Sequence, residues 1–240
     1  MKICDAIKSV LFTNRCRYCR KVIDIRNEIC PDCESNLQRI NGEICLKCGR
    51  EKDFCGCKGT ILYYKSVVAP FYYEGAIHRT IWLLKFRSQS ELSRVIAEEM
   101  VDCFLKHYKE YKIDLVTFVP SQRSKMKERG YNPAELIARD FGELIGIEVR
   151  PLLKKLFETR SQHLLDSTER TGNLAGAFDG INKELFLDKR VLLIDDVKTT
   201  GSTLNECAKT LIACGAAEVI CLTGALTGGK RMQNQKNSLL

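Results

Sequence analysis

Between Val191 and Leu204 the chain reads VLLIDDVKTTGSTL, an apolar run that stops at two adjacent carboxylates and continues through a hydroxyl- and glycine-rich loop into a helix. A strand with four consecutive apolar residues is covered on both faces, which places it inside a parallel sheet with helices on either side. The rest of the chain beyond residue 61 repeats this grammar. SVVAPFYY (66–73) reads as a strand and AIHRTIWLLKFR as the helix after it, with a second helix over 90–108. IDLVTFVP (113–120) is a strand ending in proline, and NPAELIARDFGELIG a helix with Asn132 as N-cap and Pro133 at the first helical position. RVLLIDDV is the next strand, followed by a helix from Ser202 to Cys214 closed by Gly215 and a last strand, EVICLTGAL. Strands alternating with helices predict an α/β domain, a parallel sheet flanked by helices.

Ligands of such sheets bind at the carboxyl ends of the strands, where Asp195 and Asp196 fall. The backbone N–H groups from Lys198 to Thr203 and the hydroxyls of Thr199, Thr200, Ser202 and Thr203 can surround a phosphate at the helix N-terminus, with Gly201 allowing close approach. Two acids beside a phosphate repel it, so their presence points to a ligand that also carries hydroxyls or a metal ion. A ribose 5-phosphate meets that requirement. Neighbouring residues at a strand end point apart, so Asp195 and Asp196 are not read as an acid/base pair.

The other end of the chain obeys different rules. Nine of the thirteen cysteines precede residue 58, and eight of them form the pairs Cys16/Cys19, Cys30/Cys33, Cys45/Cys48 and Cys55/Cys57. A CxxC turn brings two sulfurs within reach of one ion, and ten residues between CRYC and CPDC is zinc-ribbon spacing. CLKC followed by CGC gives a second, shorter ribbon, so two structural Zn²⁺ sites are expected, with sequential or cross-braced pairing both open. Four thiolates leave no open position for catalysis. Gly49 and Gly56 are expected to supply positive φ in these knuckles. Cys4, Cys103, Cys207, Cys214 and Cys221 read as small buried hydrophobes.

The formal charge of +8 weakens as an argument for nucleic acid once the metal is counted, because two tetrathiolate zinc sites lower it to about +4. Arg15, Arg17, Arg20, Lys21 and Arg26 nevertheless form a basic group on the ribbon that can meet a partner or nucleic acid. No run of about 18 apolar residues is present, so no membrane span is expected. The start, MKICDAIKSVLF, reads as a short amphipathic helix and not as a signal peptide, which places the protein in the cytoplasm. GALTGGKR (224–231) misses the P-loop pattern, because Arg231 stands where Ser or Thr is required.

The segment IDDVKTTGST resembles the phosphoribosyl-diphosphate (PRPP) motif of type I phosphoribosyltransferases. Two further stretches, VPSQRSKMKERGYNPAELIA (119–138) and ETRSQHLLDSTERTGNLAGAF (158–178), resemble the ComF family of competence-associated, DNA-utilisation proteins. The matching positions are Arg129–Gly130–Tyr131–Asn132, then Thr159, Gln162, Leu164, Arg170, Asn173 and Phe178, while Ser121–Gln122 and the ending LTGALTGGKR depart from the pattern. The resemblance implies an N-terminal helix and double zinc ribbon over 1–60 and a type I phosphoribosyltransferase-like domain over 61–240. It implies that Val119–Arg123, including Pro120, forms a diphosphate loop supplied with charge by Arg123, Lys125, Lys127 and Arg129. A basic helix face is the other reading of these residues. Segment 155–173 is then a lid carrying Arg160, Gln162 and the lone His163.

Two functions follow from the resemblance. One is a PRPP-binding protein of DNA uptake and natural transformation that handles single-stranded DNA beside helicase and recombination proteins. The other is an active phosphoribosyltransferase using PRPP and Mg²⁺, with Asp195 and Asp196 as the catalytic acids, pyrophosphate as product and the acceptor unidentified. A plain adaptor role for the ribbon is a third. Tyr63, Tyr64, Phe71, Tyr72 and Tyr73 offer stacking surfaces for bases, although strand alternation favours the core for them.

Overall fold

The computed structural model describes residues 14–57, 59, 61–156 and 176–228. The expected N-terminal helix, the lid with Arg160, Gln162 and His163, Cys4 and the polar tail fall outside the described residues.

The main sheet is parallel throughout. β3 (Ser66–Val68) and β4 (Phe71–Tyr72) both pair with β9 (Glu218–Leu226), which pairs with β8 (Arg190–Lys198), which pairs with β5 (Leu115–Phe118). The run expected as one strand over 66–73 is interrupted at Ala69–Pro70, where proline has no N–H to give to a ladder. β8 alternates between two cores. Leu192 and Ile194 join the cluster of α2 (Gly75–Phe86), α3 (Leu92–Tyr108) and α5 (Pro133–Ile145). Val191 and Leu193 join that of α6 (Ser202–Ala213) on the opposite face. All four are fully buried, and burying a side chain of this size contributes about 1.5–3 kcal/mol.

Local signals explain most boundaries. In α5, Ala134, Ile137, Ala138 and Phe141 recur at helical spacing and are buried. The Asn132 side chain accepts from the Ala134 N–H at its start, and Gly146 closes it at φ 70°. One pairing has no counterpart in the sequence reading. β6 (Leu153–Lys155) runs antiparallel to β7 (Phe178–Gly180) as a small separate sheet. The basic stretch after β5 is also a helix, α4 (Arg123–Arg129), ending at Gly130 with φ 81°.

The cysteine-rich module contains β1 (Asn14–Arg15), β2 (Val22–Ile23) and α1 (Pro31–Ser35). It is laid against the edge of the main sheet and against α2 and α3. Val67 N–H donates to Leu46 O at 2.8 Å, and Ile40 N–H to Pro70 O at 2.9 Å. Gly75 sits at φ 55° so close to Asn36 that a Cβ would lie 2.1 Å from its carbonyl oxygen, so no side chain fits there. The centre of the contact is Glu99 of α3, buried at 8% exposure. It accepts from the Tyr18 hydroxyl and from Arg39 at 2.5 and 3.0 Å. Burial opposes ionisation of Glu99, but the hydrogen bonds from Arg39 and Tyr18 outweigh it and hold the carboxyl below the ordinary glutamate range.

A carboxyl whose folded pKa is depressed stabilises the fold above its unfolded pKa and loses that contribution as pH falls through the folded value. Glu99→Ala is therefore expected to cost about 1–3 kcal/mol at pH 7, because the buried Tyr18 hydroxyl is left without its partner while the half-exposed Arg39 can turn to water. The loss should shrink as pH falls below the ordinary glutamate value of about 4.3 toward the lower folded one. Denaturant unfolding of both proteins across that range checks the expectation.

Candidate functional site

The cysteines assemble into two groups in chain order. Cys16, Cys19, Cys30 and Cys33 form one and Cys45, Cys48, Cys55 and Cys57 the other, with the sulfurs of each group within 4.8 Å of one another. The sequential pairing is the one observed, and the cross-braced alternative is not. A tetrahedral zinc with bonds of about 2.3 Å needs sulfurs about 3.8 Å apart. Cys19–Cys30, Cys45–Cys57 and Cys48–Cys55 stand at 3.7 Å, so the donor sets fit the ion.

The two groups are copies of one device. Arg20 N–H donates to Cys16 O at 2.9 Å, and Gly49 N–H to Cys45 O at 2.7 Å. The residue after the first knuckle of each group is left-handed, Arg20 at φ 63° and Gly49 at φ 81°. Gly56, inside the last knuckle, does not take a positive φ, contrary to expectation. The ribbon's basic residues are largely engaged. Arg17 pairs with Glu98 at 2.6 Å, Arg20 with Glu91 at 3.4 Å and Arg26 with Asp24 at 2.9 Å, while Lys21 lies 4.0 Å from Asp32. Arg15 donates to Arg20 O at 3.1 Å. Of the scattered cysteines, Cys103, Cys207 and Cys221 are buried and Cys214 is half-buried.

At the carboxyl end of β8, the acid pair, the loop after it and the start of α6 come together. Gly201 is the N-cap of α6 at φ 88°, and no side chain caps the helix. Thr199 and Thr200 are exposed, and Ser202 and Thr203 half-buried. Thr200 and Ser202 hydroxyls lie 2.9 Å apart. The Ser202 N–H donates to Thr200 Oγ1 at 3.3 Å, and the turn that follows begins at an open, hydroxyl-lined loop that suits an anion. Lys198 lies beneath this loop. It is 5% exposed, and its Cε would be 2.9 Å from a Cβ on Gly201, with the Tyr64 hydroxyl next to it. Burial pulls its pKa down, and Arg50 adds to that.

The two acids have different environments. Asp196 is paired with Lys85 of α2 at 2.7 Å, both side chains mostly buried. Burial opposes the Lys85 charge, but Asp196 outweighs it and holds the ammonium above the usual lysine range. Asp195 has no such partner. Burial first, and then the neighbouring Asp196 carboxylate, push it up to about 8. With one acid neutralised by Lys85 and the other holding its proton, the repulsion that two bare carboxylates would exert on a phosphate is largely removed. Lys85 was not singled out in the sequence. It sits in an apolar helix 111 positions from Asp196, and only the fold brings them together.

The residues expected to form a diphosphate loop are close by. Val119 N–H donates to Ile194 O at 2.9 Å, which ties the segment carrying Pro120 to the end of β8. The buried Asn132 donates to Val119 O at 2.9 Å and accepts from Ser121 Oγ at 2.7 Å. Ser121, a departure from the family pattern, is thus a brace within this loop. Arg123, Lys125, Lys127 and Arg129 lie on α4, which begins directly after this loop. Burial, with Arg129 and Lys85 nearby, lowers the Lys125 pKa, and Asp196 acts in the other direction.

Three expectations follow from this geometry. Cys55 is exposed, whereas all four cysteines of the first group are buried. A chelator should therefore release two zinc ions per chain in two phases, the second cluster first; simultaneous release of both contradicts this. Lys85→Met should destabilise the protein by about 3 kcal/mol, because it strands a buried carboxylate. Lys85→Met/Asp196→Asn should recover much of the loss in the same denaturant titration. Asp195 has a raised folded pKa, so the folded state keeps a proton that the unfolded chain has released, and stability falls as pH rises between about 4 and 8. Asp195→Asn should then melt at least about 3 °C above wild type at pH 8, with the difference vanishing near pH 4.

Comparison with known proteins agrees with both halves of this description. Residues 7–62 match the double zinc ribbon domain and residues 127–238 the phosphoribosyl transferase domain. The chain is 30% identical over 220 residues to competence protein F of Haemophilus influenzae, an alignment spanning 87% of this chain and 95% of that protein. It is 32% identical over 203 residues to competence protein ComFC of Streptococcus pneumoniae, spanning 81% and 87%. It is 27% identical over 218 residues to the DNA utilization protein YhgH of Salmonella typhi, spanning 88% and 90%. No helix among the described residues is long and apolar enough to cross a membrane. With a double zinc ribbon ahead of a phosphoribosyl transferase domain, and relatives at this identity matched over nearly their whole length, the chain belongs to the ComF family.

Proposed function

We propose that this protein binds PRPP with Mg²⁺ at the end of β8 and acts in DNA uptake or DNA utilisation, handling single-stranded DNA. The observation that carries the first half is the uncapped N-terminus of α6 beside the Asp195–Asp196 pair, with Lys85 neutralising one acid. The loop 199–203 receives the 5-phosphate. Asp195 and Asp196 meet the ribose hydroxyls, and the basic α4 faces the diphosphate with its magnesium. The second half rests on relatives whose names are those of competence and DNA-utilisation proteins. The ribbon serves as a zinc-bound structural brace at the back of the phosphate loop. Beside the second cluster, the Tyr64 hydroxyl donates to Lys47 O and Arg50 donates to Thr227 O, whose own N–H donates to Lys198 O.

Transfer of the ribose to an acceptor is a separate step. It breaks the bond from the anomeric carbon to the diphosphate and releases pyrophosphate. Magnesium supplies charge neutralisation on the leaving diphosphate, and the acids at the ribose offset positive charge growing on the ring.

Melting curves with PRPP and Mg²⁺ test the binding site. A ligand at a hundredfold its Kd stabilises by about 2.7 kcal/mol, so wild type should shift by several degrees. Gly201→Ala, strained at φ 88° and crowded by Lys198, should lose the shift, as should Asp195→Asn/Asp196→Asn. An unshifted wild type would overturn the PRPP reading. Pyrophosphate release with candidate acceptors then separates a transferase from a sensor.

A further inference from the structure

α2 also carries an exposed aromatic surface beside the ribose site. Trp82 is 38% exposed and Phe86 53% exposed, one helical turn apart on the same edge. Their ring centroids stand 6.0 Å apart at a tilt of 41°. Each ring has an arginine on its face, Arg87 at 5.2 Å from the Trp82 centroid and Arg129 at 4.7 Å from that of Phe86. The result is a row of flat groups in the order Arg87, Trp82, Phe86, Arg129. Among the described residues neither arginine is in an ion pair, and the buried Nε of Arg129 has no hydrogen-bond partner. Water-facing aromatic rings are unfavourable unless something covers them. Here the covering partner is flat and anionic, because the rings alternate with unneutralised guanidinium groups.

The geometry points to this row as a stacking platform for the bases of single-stranded DNA, with the phosphates running along α4. α4 supplies Arg123, Lys125, Lys127 and Arg129 against the single acid Glu128. It is fastened to α2 by the Tyr131 hydroxyl, which donates to Leu84 O. Aromatic and guanidinium planes beside a basic track are the combination that holds single strands without reading sequence. Duplex DNA, whose bases are already stacked, cannot use it. Lys85, which holds Asp196, is the residue next to Phe86, so the row lies on the same helix that borders the ribose site. This inference rests on the DNA-handling role proposed above and names its surface. It replaces the earlier aromatic candidates, of which Tyr64, Phe71 and Tyr72 are buried in the core.

Trp82 is the sole tryptophan of the chain, so its emission reports on this surface directly. Zinc-loaded full-length protein is titrated with a labelled oligothymidylate of about 20 nucleotides, following label anisotropy and tryptophan emission together. Binding should quench Trp82, and Trp82→Ser and Phe86→Ser should each weaken it about tenfold. Trp82→Phe should keep most of the affinity, which separates stacking from a folding defect, and a matched duplex should leave the emission unchanged. If the oligonucleotide binds while Trp82 emission and the serine variants stay at wild-type values, the platform is refuted and the DNA-handling role stands. If wild type binds no single strand even at low salt, both fall.

Discussion

Everything in this molecule is arranged around β8. It is hydrogen-bonded to a parallel neighbour on each side, and its residues from Val191 to Ile194 alternate between two cores, so neither face has room for a polar group. That constraint ends abruptly at Asp195. The strand continues beside β9 as far as Lys198, yet its side chains now include two acids and a buried lysine. The cores fix where the backbone goes, and the polar end of the strand takes its geometry from them.

Holding charge at the end of a dry strand requires compensation, and the fold supplies it from distant segments. Lys85 of α2 neutralises Asp196. Asp195 is left to keep its proton. Lys198 turns away beneath the loop toward Tyr64 and the second cysteine cluster. The ribbon module thus does more than decorate the N-terminus. It meets α3 at Glu99, pairs with the outer edge of the sheet through Leu46 and Ile40, and reaches the far end of β9 where Arg50 donates to Thr227 O at 3.2 Å. Loss of its metal would loosen the floor of the loop after β8 as well as the ribbon itself.

Much of this was legible in the chain because it is carried by local or periodic signals. Cysteine spacing announced both metal sites, unbroken apolar runs announced a parallel sheet, and Asn132–Pro133 announced the start of α5. What was not legible depends on contacts between distant segments. Lys85 looks like any helix lysine until α2 is packed beside β8. The antiparallel pairing of β6 with β7 joins two short segments with little patterning. The split at Pro70 follows from a missing N–H, which the expectation of one strand over 66–73 overlooked. The left-handed turn after the first knuckle falls on Arg20, where the sequence offers no glycine to mark it. The exposure of Trp82 and Phe86 was hidden as well, because in the sequence they continue an apolar helix.

The ligand at the end of β8 decides what this protein does. Calorimetric titration of the zinc-loaded protein with PRPP and Mg²⁺ tests it most directly, set against the same titration with pyrophosphate and Mg²⁺. Saturable binding of one PRPP per chain, tighter than pyrophosphate and lost in Asp195→Asn/Asp196→Asn, is the predicted result. Equal affinity for PRPP and pyrophosphate, or PRPP binding untouched by the double substitution, would contradict it.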